Sequence, residues 1–250
     1  MIESLVAAFA LTLARVGTFV HVLPMLGGPN VPRPVKIGLS AALAILFYDF
    51  DSAMLGAETP AFSWLRFGLA LGREMVLGGM FGFALGLLLV PARVAGDMIA
   101  QETGLTFANV LTASGDGSSN PFAVLLEMLA SLVFFSLDLH HVFLITLQET
   151  FRHFPIRQTY ALPNWDLIGA ASAAQEGGML LAAPLALCLF LTTVVLALMT
   201  RAAPQLNLYS VGFPLRVLVC IGGSLLLLPS IITGTIGLFG HFLDLLQLRG

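Results

Sequence analysis

The apolar run over residues 167–199 constrains this chain more than any other stretch. At about 1.5 Å per residue it would reach about 50 Å as one helix, well past the roughly 30 Å hydrocarbon layer that about 20 residues cross. It must therefore project beyond a bilayer or break near Gly177, Gly178 and Pro184. The whole chain is 58% hydrophobic and 10% charged, more apolar surface than one soluble core can hide. Backbone polar groups in lipid need partners within their own segment or a closed barrel, and no long series of alternating strands is visible. The sequence predicts an all-α membrane protein.

Charge and cysteine usage exclude several classes. The net charge of -3 is mild, and Lys and Arg are scattered singly, so there is neither a nucleic-acid stripe nor a polybasic lipid patch. Cys188 and Cys220 both lie in apolar runs, where a thiol serves as a small hydrophobe rather than a disulfide or metal ligand. Glu3 stands where a signal peptide would carry positive charge, so the N-terminus reads as a retained first helix.

The other apolar runs are irregular in ways that matter. Residues 5–26 suit one span, but Arg15 near its centre is costly in lipid and should face protein or water. The turn GGPNVPRP follows, where prolines restrict themselves and their predecessors. Residues 36–48 are too short to span and end at Asp49 and Asp51. In the run over residues 64–90, which carries Arg66, Arg73 and Glu74, Gly78, Gly82 and Gly86 recur every four residues. Gly68 and Gly72 extend the pattern upstream. Such a face bares backbone for close contact with another helix.

Residues 122–154 are apolar but carry Glu127, Asp138, His140, His141 and Glu149, and acids at such depth mark an interior face or aqueous path. A paired His-His invites a metal, yet adjacent helical side chains point about 100° apart, so boundary histidines are the default and no metal is expected. The polar stretch 155–166, broken by Pro155 and Pro163, is a linker between two halves. After it come the long run, a turn at RAAPQLNLYSVGFPLR, and a last helical stretch interrupted by Pro229, Gly234 and Gly237. This C-terminal part reads as one long kinked hairpin. Cytoplasmic loops collect Lys and Arg, but Arg33 and Lys36 conflict with Arg152 and Arg157 under simple alternation, so these helices are not expected all to cross a bilayer perpendicularly, and partner proteins should cover much of their apolar surface.

Near the middle lies a segment of another kind. Arg93, Asp97 and Gln101 recur every four residues on one helical face, opposite Val94, Met98 and Ile99. This amphipathic element runs through GLTFANVL into TASGDGSSN, where Gly115, Gly117, Ser118 and Ser119 oppose regular structure. Leu105, Phe107, Val110 and Leu111 could close a channel as a hydrophobic constriction; an ordinary loop with a core-facing Phe107 is the plainer alternative.

No catalytic constellation survives inspection: HExxH, CxxC, P-loop, GxSxG and strand-linked GxGxxG patterns are all absent. No cofactor or metal is expected. The sequence reads as a non-enzyme.

Three stretches in order, VPRPVKIGLSAALA at 31–44, AGDMIAQETGLTFANV at 95–110 and APQLNLYSVGFPLRVLV at 203–219, resemble the FliR family of flagellar export-gate proteins, related to the SctT proteins of virulence type III secretion. Glu102 and Thr103 depart from the small residues usual there. The resemblance implies a bacterial inner-membrane protein of the flagellar basal body that conducts unfolded flagellar subunits. Its partners would be FliP, FliQ, FlhB and FlhA, with membrane lipid around it and no nucleic acid. It further implies one subunit of a helical ring standing partly outside the membrane plane. Residues 1–154 would form a FliP-like part and residues 167–250 a FliQ-like hairpin, with a plug loop over about 104–121. By the same resemblance Gly104, Leu105, Phe107, Val110 and Leu111 are plug residues and Gly115 and Gly117 its hinge. Gly68, Gly72, Gly78, Gly82, Gly86, Arg93, Asp97, Gln101, Pro204, Gln205, Gly212 and Pro214 would then serve helix packing and subunit contact.

Two readings of other classes compete. A secondary transporter would place Glu127, Asp138 or Arg73 at the midplane, though no internal repeat supports it. An intramembrane enzyme would have only His140, His141 and Glu149 to work with.

Overall fold

A computed structural model describes residues 2–23, 26, 31–52, 64–104, 120–156, 167–202 and 208–245. Among them are eight helices: α1 (Ile2–Val22), α2 (Arg33–Ser52), α3 (Trp64–Gly86), α4 (Val90–Thr103), α5 (Pro121–Ser136), α6 (Leu139–His153), α7 (Leu167–Ala202) and α8 (Leu208–Leu245). Proline lies in the first turn of three of them: Pro34, Pro91 and Pro121 sit at the starts of α2, α4 and α5, where the missing N–H removes no helical bond.

Of the two alternatives for residues 167–199 the unbroken one holds, and the last stretch is not interrupted where Pro229, Gly234 and Gly237 suggested. α7 is continuous for 36 residues with Pro184 inside it, and α8 for 38 residues with Pro214 and Pro229 inside. α7 therefore extends about 54 Å at the standard helical rise. An interior proline is tolerated in apolar helices because hydroxyls and local adjustment re-satisfy the freed carbonyls. The break comes instead in the run over 122–154. There Leu137 caps α5, and Asp138, with φ 55°, is the only non-glycine residue with positive φ among those described.

α3, α7 and α8 are each long and apolar enough to cross a membrane. α2 runs on to Ser52 but does not belong to that set.

The chain forms two compact units that interleave along the sequence: Met1–Leu87 with Asp138–Leu167, and Leu88–Leu137 with Ile168–Gly250. In the first, α1 lies along α3 and α2. Its core includes Val16, Phe19, Leu77, Phe81 and Leu147. In the second, α4 packs on α5, and α8 contacts both. One apolar cluster there joins Ala95, Ile99, Phe122, Leu126, Leu185, Leu189 and Cys220.

Candidate functional site

In the first unit the polar residues of the apolar helices converge. Arg15 lies mid-way along α1, and its side chain is 1% exposed; Glu74 on α3 is 0% exposed. Arg15 Nε donates to Glu74 Oε2 at 2.6 Å, and Arg73 Nη2 donates to Glu74 Oε1 at 3.2 Å. Two guanidiniums around one carboxylate leave an excess positive charge. That excess is directed at main-chain oxygens: Arg15 reaches the carbonyls of Thr150 at 3.0 Å and Phe154 at 2.7 Å, and Arg73 that of Ile156 at 3.0 Å. These carbonyls lie at and just beyond the C-terminal end of α6, where the helix dipole is negative; that of Thr150 also accepts from the Phe154 N–H at 2.9 Å. The Phe151 ring lies 4.5 Å from the Arg15 guanidinium carbon and adds a cation–π contact. The arginine that composition placed uneasily in the first run thus faces protein, and it ties α1, α3 and the end of α6 together.

The glycines of α3 set the distance at which this can happen. A Cβ on Gly78 would collide with the Arg15 carbonyl oxygen and Thr18 Oγ1, and one on Gly82 would stand 2.8 Å from the Phe19 carbonyl oxygen. Glu74, Gly78 and Gly82 follow at four-residue intervals, so the carboxylate and the two bare backbone positions share one face, applied to α1. Gly86 is buried at the end of α3. Gly68 and Gly72 have open space where a Cβ would be. The pattern therefore divides: Gly78 and Gly82 meet α1 of the same chain, and Gly68 and Gly72 meet nothing among the described residues.

In the second unit the base of the central segment is built from α4 and α5. Of the polar face of α4, Arg93 and Gln101 are exposed and Asp97 is half-buried. Asp97 accepts a 2.8 Å hydrogen bond from Asn120 Nδ2, the residue that caps α5. One position earlier, a Cβ on Gly96 would collide with the Ala123 backbone. Gly104 ends α4 in the left-handed conformation, φ 83°, which an L side chain adopts only at a cost. Leu105, Phe107, Val110, Leu111, Gly115 and Gly117 lie outside the described residues, as do Pro204 and Gln205. Gly212 is buried in α8, and Pro214 is exposed on it.

Beyond these two centres the surface is strongly apolar. Leu180, Leu187, Leu191 and Leu198 on α7, and Leu218, Leu225 and Leu226 on α8, are all exposed. An apolar groove of about 310 Å3 runs between Leu181 and Pro184 of α7 and Leu227 and Ile231 of α8.

Sequence reasoning found Arg15 and the glycine face but did not join Arg15 to Glu74, which lies 59 residues on. The available signal was register: a glutamate one helical turn before the first of two contacting glycines, opposite a helix with an arginine at its centre.

Fold and site together define a polytopic helical membrane protein whose buried charges and bare glycines serve helix packing. The chain belongs to the bacterial export proteins, family 1, whose sequence profile matches residues 6–242. It is similar to the flagellar biosynthetic protein FliR of Escherichia coli (strain K12), 29% identical across 94% of this chain and 89% of that protein. Caulobacter vibrioides FliR is 28% identical over 88% and 86% of the two chains. The Yop proteins translocation protein T of Yersinia pestis is 25% identical over 86% and 84%.

Proposed function

We propose that this chain is a FliR-type component of the flagellar type III export gate in the bacterial inner membrane, through which unfolded flagellar subunits pass. The observation that carries this is a family match spanning almost the whole chain, accompanied by flagellar relatives of nearly equal length. The exposed apolar faces of α7 and α8 support it, since they require cover from lipid or other subunits. The translocation protein of Yersinia supports a close second reading, the same role in a virulence secretion system.

In this reading FliP, FliQ and FlhB, with FlhA, supply the neighbouring subunits. Residues 1–154 take the place of a FliP-like subunit, residues 155–166 link, and residues 167–250 take that of a FliQ-like hairpin. The segment after Gly104 is the plug, and Gly68 and Gly72 are bare positions for a neighbouring helix. Conduction is passive for this chain; no bond is made or broken on it.

Removing the chain from the bacterium that makes it tests the reading. Secretion of flagellar subunits ceases, and motility with it, while restoring the chain restores both. Normal flagella in its absence, with loss of a virulence secretion system instead, would select the second reading; no secretion defect of either kind would end both.

A further inference from the structure

We propose that Asp138, His140 and His141 form a site for a divalent late first-row transition metal, zinc foremost. The site lies at the start of α6, where Asp138 is the N-cap residue in the left-handed conformation (φ 55°, ψ 25°) and the two histidines occupy the first turn. Consecutive helical side chains normally diverge by about 100°, yet these imidazole centroids stand 4.2 Å apart with rings tilted by 35°. The Asp138 carboxylate joins them: one ligand atom from each of the three residues lies within 4.8 Å of the others.

The donor set selects the ion. Two imidazole nitrogens and one carboxylate oxygen match zinc and its neighbours, whereas calcium and magnesium seek more oxygens than this corner offers. Bonds of about 2.0–2.2 Å in a tetrahedron place donors a little over 3 Å apart, so side-chain rotation over about an ångström closes the set around an arriving ion. Asp138 and His141 are exposed on this chain and His140 is half-buried, so the donor atoms are not sealed inside its core. Three protein ligands leave a fourth position for water or for a donor on another subunit. A bound ion would staple the first turn of α6 to its cap. His153 and Glu149 lie at the opposite end of the same helix and take no part.

The test uses the full chain in its detergent-extracted complex, stripped with chelator and titrated with Zn2+, wild type beside H140A, H141A and D138N. The difference between wild type and H141A should be one zinc per copy of this chain, and Co2+ in place of zinc should give the intense visible bands of a tetrahedral site. Loss of a direct ligand should weaken binding by more than the roughly 10–100-fold typical of an outer-shell change. H153A should bind as wild type does. His141 is exposed, so H141A should keep its helical circular dichroism, which separates a lost ligand from a lost fold. Equal zinc uptake in wild type and H141A, or an equal loss in H153A, would overturn the proposal.

Discussion

The two units solve the problem of close helix approach by different physics. In the first, α1 and α3 meet across Gly78 and Gly82, and the contact is fixed by ionic groups: Arg15, Glu74 and Arg73, with backbone carbonyls taking up the excess positive charge. In the second, α4 and α5 meet as closely, at Gly96 against Ala123. There the surroundings are an apolar cluster with one polar bond, Asn120 to Asp97, at its edge. A buried ion pair is weak as a source of net stability but costly to break, because the survivor is left charged and dry. An apolar interface degrades more gradually. The first unit should therefore respond to single changes abruptly, and the second in proportion to volume.

The largest effect should follow Glu74→Ala, which leaves Arg15 buried beside Arg73 without its carboxylate. Breaking a buried pair costs about 3–5 kcal/mol, read as a fall in the thermal midpoint of the detergent-purified protein. The double change R15M/E74L removes both charges and should recover most of that loss. A double variant as unstable as E74A alone would show that the charges themselves are not what fixes α1 to α3.

Next come the bare backbone positions. Gly96→Leu and Gly78→Leu each force a side chain into main-chain atoms, and overpacking of this kind costs about 1–3 kcal/mol or more. Gly72→Ala is the contrast: with open space at its Cβ, it should be neutral or stabilise the isolated chain by up to about 1 kcal/mol. If Gly72→Leu weakens recovery of partner subunits while leaving the chain itself stable, the open half of the glycine face is an intersubunit surface.

Smaller still is Asn120→Ala, which removes one hydrogen bond to a carboxylate; because Asp97 is only half-buried and water can replace the amide, the cost should fall below the roughly 1.5 kcal/mol at which bonds to charged groups begin. The smallest is Glu149→Ala. Its partner Arg152 is half-exposed, and such surface pairs contribute below about 1 kcal/mol.

What could be read from the sequence follows from which effects are local. The helical class, the bilayer-length runs and the need of Arg15 for a protein partner depend on composition and on the cost of charge in lipid, so they were legible. The identity of that partner was not, because register between helices 59 residues apart is set by packing. Pro229 misled for a related reason: a proline removes one hydrogen bond, but in a long apolar helix the rest of the ladder outweighs it, and the same balance left α7 unbroken at Pro184. Asp138 reversed the expectation in the other direction, breaking an apolar run that carries neither proline nor glycine at that point. The proposed plug stays a matter of sequence and resemblance, since its apolar residues lie outside the described part of the chain. Deleting residues 112–119 should make assembled gates leak ions, and an unchanged membrane conductance would remove the plug from the account.

The central claim is that this chain's apolar helices find their shelter against other gate subunits. Mild detergent extraction of the tagged full chain from its own bacterium, followed by identification of every protein that comes with it, measures this directly. The account predicts a stable assembly containing FliP and FliQ chains in fixed ratio to this one. A stable, monodisperse single chain with no companion subunit would contradict it.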